Sequence, residues 1–268
     1  PRSTPLYSSA ASDVYKRQVF YIDRFMQVKK ADDYQSWYIK EGKEGLLIDP
    51  WFDFSLVDGK GWFLQRNKDK TSNLSQAEIA LIKNIIITAP FGDHLHLKTL
   101  REFPKANIWC SNQVKKILLK NYFKNKIFEL SAESNQVGTL KVQAFPAGFP
   151  YNTSAKCLLI SNNEGFKVFH EGHVVNKAML KKNNLKADVA ILTADEVKFF
   201  GILTLSMNLK NAIDTCKLLE SKKLFITGSN PQNNTGLINN FLKLRKLDIG
   251  SIDDNIEILY EPGSSLSL

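Results

Sequence analysis

The chain alternates between short β-branched runs, typical of buried strands, and segments whose apolar residues recur at helical spacing. Residues 84–88 show the strand pattern and residues 209–220 the helical one, with Ala212, Ile213, Cys216 and Leu219 on one face. The pattern predicts strands at residues 25–29, 36–40, 45–48, 84–88, 107–110, 126–130, 139–145, 156–160, 166–170, 187–193, 224–227 and 256–260.

Helix signals separate these runs. Ser75 and Glu78 form a capping-box pattern that predicts a short helix, and Ser111 is the expected N-cap of the helix after residue 110. Further helices are predicted at residues 97–102, 209–220 and 237–244. Residues 49–73 are expected to form a loop, whose aromatic side chains must pack against something.

The order of these elements predicts the fold class. Each half of the chain starts with an antiparallel meander and continues into βαβ-like units, so we expect an α/β protein in which two sheets pack face to face with helices outside. No internal repeat or linker divides the chain, which indicates one domain at residues 19–268. We exclude residues 1–18 as a disordered, non-native tail, because residues 13–18 resemble the translation of a transposon end used in DNA library adapters.

Composition and charge exclude several classes. Of 268 residues, 43% are hydrophobic, yet no apolar run approaches the 18 or so residues of a membrane span. The net charge of +9, less +2 from residues 1–18, leaves +7, carried by dispersed lysines with little arginine. We therefore expect a small-molecule partner rather than nucleic acid or a membrane. Three widely spaced cysteines predict buried thiols and a reducing compartment, the cytoplasm.

The four histidines of the chain lie in two short segments, each directly after a predicted strand. Residues 88–96 carry Asp93, His94 and His96, which could bind zinc, iron or manganese. The open alternative is a pair of surface histidines beside a helix N-terminus, with Asp93 or Thr99 helping to cap it.

The second histidine segment, residues 166–173, places His170 near the end of a strand and His173 after the flexible Gly172. Here the alternative is a strand-edge histidine beside a solvated Glu171. The chain contains none of the common GxGxxG, Walker A, GxSxG or HExxH motifs.

Residues 45–50, 85–96 and 168–173 together resemble the metallo-β-lactamase superfamily. The similarity spans residues 19–268 and is closest to a divergent branch with an Asp-Pro-Trp after the third strand and an Asp-His-x-His loop. The resemblance implies a four-layer αββα sandwich, with two mixed sheets and a metal site at one edge between them. Asp49 matches a position that supports the site structurally in this family.

The resemblance also shows a degenerate metal motif. The usual His-x-His-x-Asp-His loop keeps Asp93 and His94 but has Ala89 and Phe91 at its first two histidine positions. Residues 147–149 offer no third histidine, and the last histidine position falls near Asn230. The first metal subsite is therefore expected to be lost.

The second subsite could recruit His173, at the position of the bridging aspartate, and His96. We thus expect Asp93, His94, His96 and His173 to hold one divalent ion, zinc before iron or manganese, with an open position for water. This predicts a hydrolase of a small ester, lactone or phosphodiester, with Asp93 taking part in the reaction. The alternative is a non-catalytic pseudoenzyme without metal, which binds a small molecule or protein through its pocket and residues 51–63. Nuclease activity is the less favoured third hypothesis.

Overall fold

Twenty strands and five α-helices make up the part of the chain that the structure describes. The computed structural model describes residues 25–58, 61–228, 234–248 and 255–268, and the expected non-native tail, residues 1–18, lies outside them. The strands are β1 (Gln27–Lys30), β2 (Trp37–Glu41), β3 (Glu44–Ile48), β4 (Ser55–Asp58), β5 (Leu64–Asn67), β6 (Ile82–Ile87), β7 (Asn107–Cys110), β8 (Ile127–Glu129), β9 (Asn135–Val137), β10 (Leu140–Pro146), β11 (Lys156–Ser161), β12 (Lys167–Glu171), β13 (Val189–Thr193), β14 (Glu196–Phe199), β15 (Leu203–Ser206), β16 (Lys223–Thr227), β17 (Asn234–Thr235), β18 (Leu242–Arg245), β19 (Glu257–Leu259) and β20 (Ser265–Ser267). The helices are α1 (Gln76–Ala80), α2 (Leu97–Arg101), α3 (Asn112–Lys120), α4 (Lys177–Lys182), α5 (Leu209–Leu219) and a 3₁₀-helix (Leu237–Phe241).

Two seven-stranded mixed sheets carry the fold. The first has the order β20-β1-β2-β3-β6-β7-β8 and the second the order β19-β16-β13-β12-β11-β10-β9. In each sheet an antiparallel meander continues into parallel strands, as the sequence predicts. Two three-stranded sheets, β15-β14-β18 and β17-β5-β4, complete the described strands.

Apolar side chains fill three layers, which follow from the period-two alternation of the strands. The inner layer lies between the two large sheets and includes Trp37 and Phe225. One outer layer packs the first sheet against α1 to α3, and the other packs the second sheet against α4 and α5. The predicted αββα sandwich is confirmed.

Several local predictions are also confirmed. Ser75 and Glu78 form the capping box of α1, and the Ser111 side chain accepts a hydrogen bond from the backbone N–H of Val114 at the start of α3. The three cysteines are free and buried. No helix in the described ranges is long and apolar enough to cross a bilayer.

Two segment predictions are wrong. Residues 237–244, predicted as a helix, form a 3₁₀-helix followed by β18, which pairs with β14. Residues 49–73, predicted as a loop, contain the hairpin of β4 and β5. Their aromatic side chains do not all pack inward, since Trp51 is buried whereas Trp62 is 64% exposed. These segments contribute β4, β5 and most of β18 to the two small sheets.

Candidate functional site

Two loops from opposite sheets bring His94 and His173 into contact. His94 follows β6 of the first sheet, and His173 follows β12 of the second. Their Nε2 atoms lie 3.2 Å apart, and their rings stack with centroids separated by 4.6 Å. A Cβ on Gly172 would lie 3.2 Å from His94 Cε1, so the glycine permits this close approach. We call His94 and His173 the imidazole pair.

Asp49 holds the outer nitrogen of His94. It follows β3 with a positive φ of 47°, and its Oδ2 lies 2.7 Å from His94 Nδ1. The backbone N–H of Thr88 donates to Asp49 Oδ1 over 2.7 Å, and the Thr88 hydroxyl donates to Oδ2. All three side chains are buried. Because Asp49 fixes Nδ1, the His94 ring presents Nε2 to His173.

Glu171 holds His173 from the opposite side. Its Oε1 accepts the backbone N–H of His173 at 2.8 Å and lies 3.6 Å from His173 Nδ1. Glu171 is fully buried, and its Oε2 has no hydrogen-bond partner among the described residues. The alternative of a solvated Glu171 is therefore wrong. The Tyr151 ring covers His173, with centroids 4.1 Å apart.

Asp93 lies beside the imidazole pair and contacts an arginine. Arg66 Nη1 is 3.2 Å from Asp93 Oδ2, and its guanidinium lies 4.3 Å from the centre of the Tyr34 ring. The Gln35 side chain donates to the Asp93 carbonyl over 2.7 Å. The charges of Asp93 and of both imidazoles act on one another.

The structure does not bring His96 to this cluster. His96 is the N-cap of α2, where Nδ1 accepts the backbone N–H of Thr99 at 3.3 Å and lies 2.8 Å from the Thr99 hydroxyl. Within the described ranges, no three His, Cys, Asp or Glu side chains are arranged to hold a metal ion. The four-ligand set therefore stays a prediction, with His94 and His173 in contact and Asp93 adjacent.

The fourth histidine is inaccessible. His170 is 1% exposed on β12, and neither ring nitrogen has a hydrogen-bond partner in the described part of the chain. Burial lowers its pKa to about 4, against the opposing effect of Asp49. His170 is therefore a neutral core residue.

The surroundings shift the pKa values of His94 and His173 in opposite directions. Burial alone lowers the pKa of His94, but Asp49 and then Asp93 outweigh burial, so this pKa is raised. Burial and the charge of His94 lower the pKa of His173 despite Glu171. Burial alone raises the pKa of Asp93, but Arg66 and then the imidazoles reverse this, so the pKa of Asp93 is lowered. The cluster thus favours positive charge at His94.

Two nitrogen donors and the nearby carboxyl groups are of the chemical types that one divalent metal would use, without a third ligand already arranged beside them among the described residues. Two nitrogens bound to one tetrahedral zinc at about 2.0–2.1 Å lie about 3.3 Å apart, close to the 3.2 Å between the Nε2 atoms. Asp49 and Glu171 stand behind the two rings, as carboxylates do behind metal-bound histidines. Asp49, Glu171 and Asp93 bring three carboxyl groups to the cluster, and Arg66 pairs with Asp93 alone among them. With both imidazoles neutral, a divalent cation in place of the His94 proton would balance the two remaining negative charges.

A cavity of about 410 Å³ opens beside the imidazole pair. His173, Asp93, Arg66 and Tyr151 line one part of it, and apolar side chains line most of the rest. Strands β5 and β17, together with β14, β15 and β18, supply part of the wall, and segments that follow strands of the two large sheets supply much of the rest. The two small sheets therefore contribute to the pocket without forming it alone.

Sequence reasoning missed Arg66, Glu171 and Asn234 as site residues. Arg66 lies on β5, inside the segment predicted as a loop, and Asn234 lies on the short β17. Arginine is scarce in this chain, and that scarcity is the signal that could have directed attention to Arg66. Asn230, the position matched to the last family histidine, lies outside the described residues.

The chain matches one protein family over most of its length. The profile of the Beta-lactamase superfamily domain matches residues 32–226. A search among curated proteins gave no match.

Solved structures share the fold. An isothiocyanate hydrolase from Delia radicum gut bacteria has a TM-score of 0.66 at 15% identity, over 91% of this chain and 99% of that one. A possible metal-dependent hydrolase from Veillonella parvula has a TM-score of 0.65 at 12% identity, over 91% and 100%. A metallo hydrolase from the archaeon Ignicoccus hospitalis has a TM-score of 0.61 at 14% identity, over 91% and 98%. At these identities the comparisons show the fold alone.

Proposed function

The chain belongs to the beta-lactamase superfamily, and from this premise we propose that it is a hydrolase with a single divalent metal ion. His94, His173 and Asp93 would hold the ion, and the adjoining pocket would bind a small ester, lactone or phosphodiester. The observation that carries the proposal is the 3.2 Å approach of the two Nε2 atoms, each on a ring with a buried carboxyl group behind it. Zinc is the expected ion, with iron or manganese as alternatives.

A bound divalent ion would act as a Lewis acid and bring the pKa of water to about 7. Asp49 accepts the Nδ1–H of His94, so the lone pair of Nε2 points toward His173. Glu171 holds the backbone of His173 and lies near its Nδ1. These contacts preset the donor atoms, which reduces the cost of ordering them on binding.

Tyr151 has a separate role in this proposal. Burial, with the charges of Asp93 and Glu171, raises the pKa of its hydroxyl, which therefore keeps its proton. Tyr151 lines the pocket and covers His173, so its hydroxyl can donate a hydrogen bond to a substrate oxygen near the imidazole pair. The apolar walls exclude water and strengthen this interaction.

Elemental analysis of the full chain, produced with zinc, iron and manganese present, tests the proposal. We expect about one equivalent of metal in the parent protein and none in the His94→Ala/His173→Ala variant. His96→Asn is the matched control, because it removes an imidazole from the same loop and keeps a side chain that caps α2. Ester, lactone and phosphodiester substrates would then be screened with the loaded protein.

The salt bridge between Arg66 and Asp93 favours one other function. Arg66 already neutralises one prospective metal ligand, as expected of a protein that binds a small molecule without catalysis. A folded parent protein that contains no metal would contradict the hydrolase proposal and support this binding role. Steeply salt-dependent binding to nucleic acid would instead revive the nuclease hypothesis.

A further inference from the structure

The pocket beside the imidazole pair contains a buried polar atom that has no hydrogen-bond partner in the part of the chain that the structure describes. Asn234 lines the pocket and is 4% exposed, and its Oδ1 has no hydrogen-bond partner among the described residues. Burying an amide oxygen without a partner forfeits its hydrogen bond to water and is therefore unfavourable. The atom therefore indicates a ligand that brings its own polar group into the pocket.

Arg66 offers hydrogen-bond donors to the same space. A guanidinium has five N–H donors, and among the described residues the Arg66 side chain donates to Asp93 Oδ2 alone. Stacking on Tyr34 holds the plane of the guanidinium. A planar, fixed guanidinium with free donors suits a carboxylate, which it can bind through two parallel hydrogen bonds.

Most of the remaining side chains that line the pocket are apolar, with Gln35, Thr193 and Ser206 as polar exceptions, so the ligand is expected to be largely apolar. The apolar side chains come from both small sheets and from the loop after β6: Leu64, Phe91, Val197, Phe199, Leu205 and Leu242. A cavity of about 410 Å³ has the size of a typical small-molecule site.

We propose that this pocket binds an apolar monocarboxylic acid, with the carboxylate on Arg66, the hydrocarbon part against the apolar walls and a polar hydrogen at Asn234 Oδ1. As a statement about substrate, the inference rests on the proposed function, and the bond to be cleaved would lie beside His173. As a statement about binding, it depends only on the pocket.

The charges favour a carboxylate over a phosphate. Arg66 is the single lysine or arginine among the described residues that line the pocket, and Asp93 already balances its charge in part. A phosphate dianion would face the carboxylate of Asp93 with too little positive charge around it. A carboxylate adds half as much negative charge beside Asp93 and can use the remaining donors of Arg66.

Calorimetric titration of the full chain tests the inference with three probes: 4-(4-hydroxyphenyl)butanoate, whose phenol supplies the polar hydrogen, the corresponding amide, and inorganic phosphate. We expect the acid to bind at least about tenfold more tightly than its neutral amide, and phosphate to bind more weakly than the acid. The comparison of acid with amide needs no variant, so a folding defect cannot obscure it.

Two arginine variants locate the carboxylate. In Arg66→Met the preference for acid over amide should disappear, whereas in Arg101→Met it should persist. Arg101 is the matched control, because it also lies over an aromatic ring, that of Phe123, and does not line the pocket. Equal binding of acid and amide, tighter binding of phosphate, or an equal loss in both variants would overturn the inference.

Titrations before and after chelator treatment separate this inference from the proposed function. Binding of the acid through Arg66 in metal-free protein would support the inference even if elemental analysis finds no metal. Metal at one equivalent without binding of the acid would leave the hydrolase proposal intact and overturn the inference.

Discussion

Asp49 shows how one residue can connect two neighbouring strand ends of the first sheet at the site. Its backbone leaves β3 with a positive φ, and its carboxyl group contacts Thr88 and His94 in the loop after β6. Aspartate and asparagine tolerate this conformation better than most residues. The buried side chain of Asp49 therefore decides how His94 faces His173.

Asp49→Asn should lower zinc affinity about 10- to 100-fold while the protein stays folded. Asparagine keeps the shape and tolerates the backbone angle, but an amide N–H facing His94 Nδ1 would move the imidazole proton to Nε2. Competition with a chromogenic chelator measures the affinity. Asp53→Asn, which removes the exposed partner of Lys98, is the control, and equal affinities in both variants would contradict the role given to Asp49.

His170 should make stability depend on pH. Its folded-state pKa of about 4 lies below the ordinary 6.5, so its contribution is complete above about pH 6.5 and is lost as pH falls toward 4. Relative to His170→Leu, the parent protein should lose up to about 1.4 kcal/mol of unfolding free energy per pH unit in this window. Urea unfolding of both proteins at pH 7, 6 and 5 measures the difference, and a constant difference would contradict this assignment.

At the scale of elements, α2 shows why a histidine near a metal motif need not be a ligand. Its first turn has free backbone N–H groups, and the His96 side chain accepts one of them. The sequence alternatives included a capped helix at this place, but they assigned the cap to Asp93 or Thr99. His96 lies two residues after His94 because the start of α2 needs a capping side chain at that position.

Substitutions at His96 should therefore affect stability rather than metal binding. His96→Ala should cost about 1 kcal/mol through loss of the cap, whereas His96→Asn should cost less because asparagine is a preferred N-cap residue. Chemical denaturation gives the stabilities, and elemental analysis gives the metal content. Loss of metal in both variants would restore His96 as a ligand.

Elements with a strong local pattern could be predicted, and those built on tertiary contacts could not. The buried run of β6 and the capping box of α1 carry their own signals. In contrast, β18 reads as part of a helix because Leu237, Phe241 and Leu244 recur at helical spacing. Pairing with β14 overrides that spacing.

At the scale of the whole molecule, the inner layer joins the two large sheets through Trp37 on β2 and residues of β16. The Trp37 ring meets the Phe225 ring edge-on, with ring centroids 5.2 Å apart, and the Trp37 indole N–H donates to the Thr227 hydroxyl at 2.9 Å. Trp37 and Thr227 are fully buried. This contact fixes how the sheets, and hence the loops that carry the imidazole pair, face each other.

Thr227→Val should destabilise the protein by about 1–3 kcal/mol, because the buried indole N–H loses its acceptor. Trp37→Phe combined with Thr227→Val should cost less than the two single changes together. Urea unfolding of the four proteins measures this coupling, with the exposed Thr139→Val as control. Additive costs would show that the hydrogen bond does not couple the sheets.

The sequence predicted those site residues that directly follow a strong strand pattern. The confinement of four histidines to two loops pointed to the imidazole pair. The pocket was not predictable, because Arg66 and Asn234 reach it from short strands with little local signal, and the burial of Glu171 depends on the second sheet. Pairs within one strand leave a pattern in the sequence, whereas contacts between sheets do not.

The three buried thiols can report local opening of the sandwich. Cys110 lies in the outer layer of the first sheet, and Cys157 and Cys216 lie in that of the second. Burial raises the pKa of Cys110 and of Cys216 to about 12, so neither reacts while its layer is closed. The rate at which an alkylating reagent modifies each thiol therefore reports how readily each layer opens, without any engineered label.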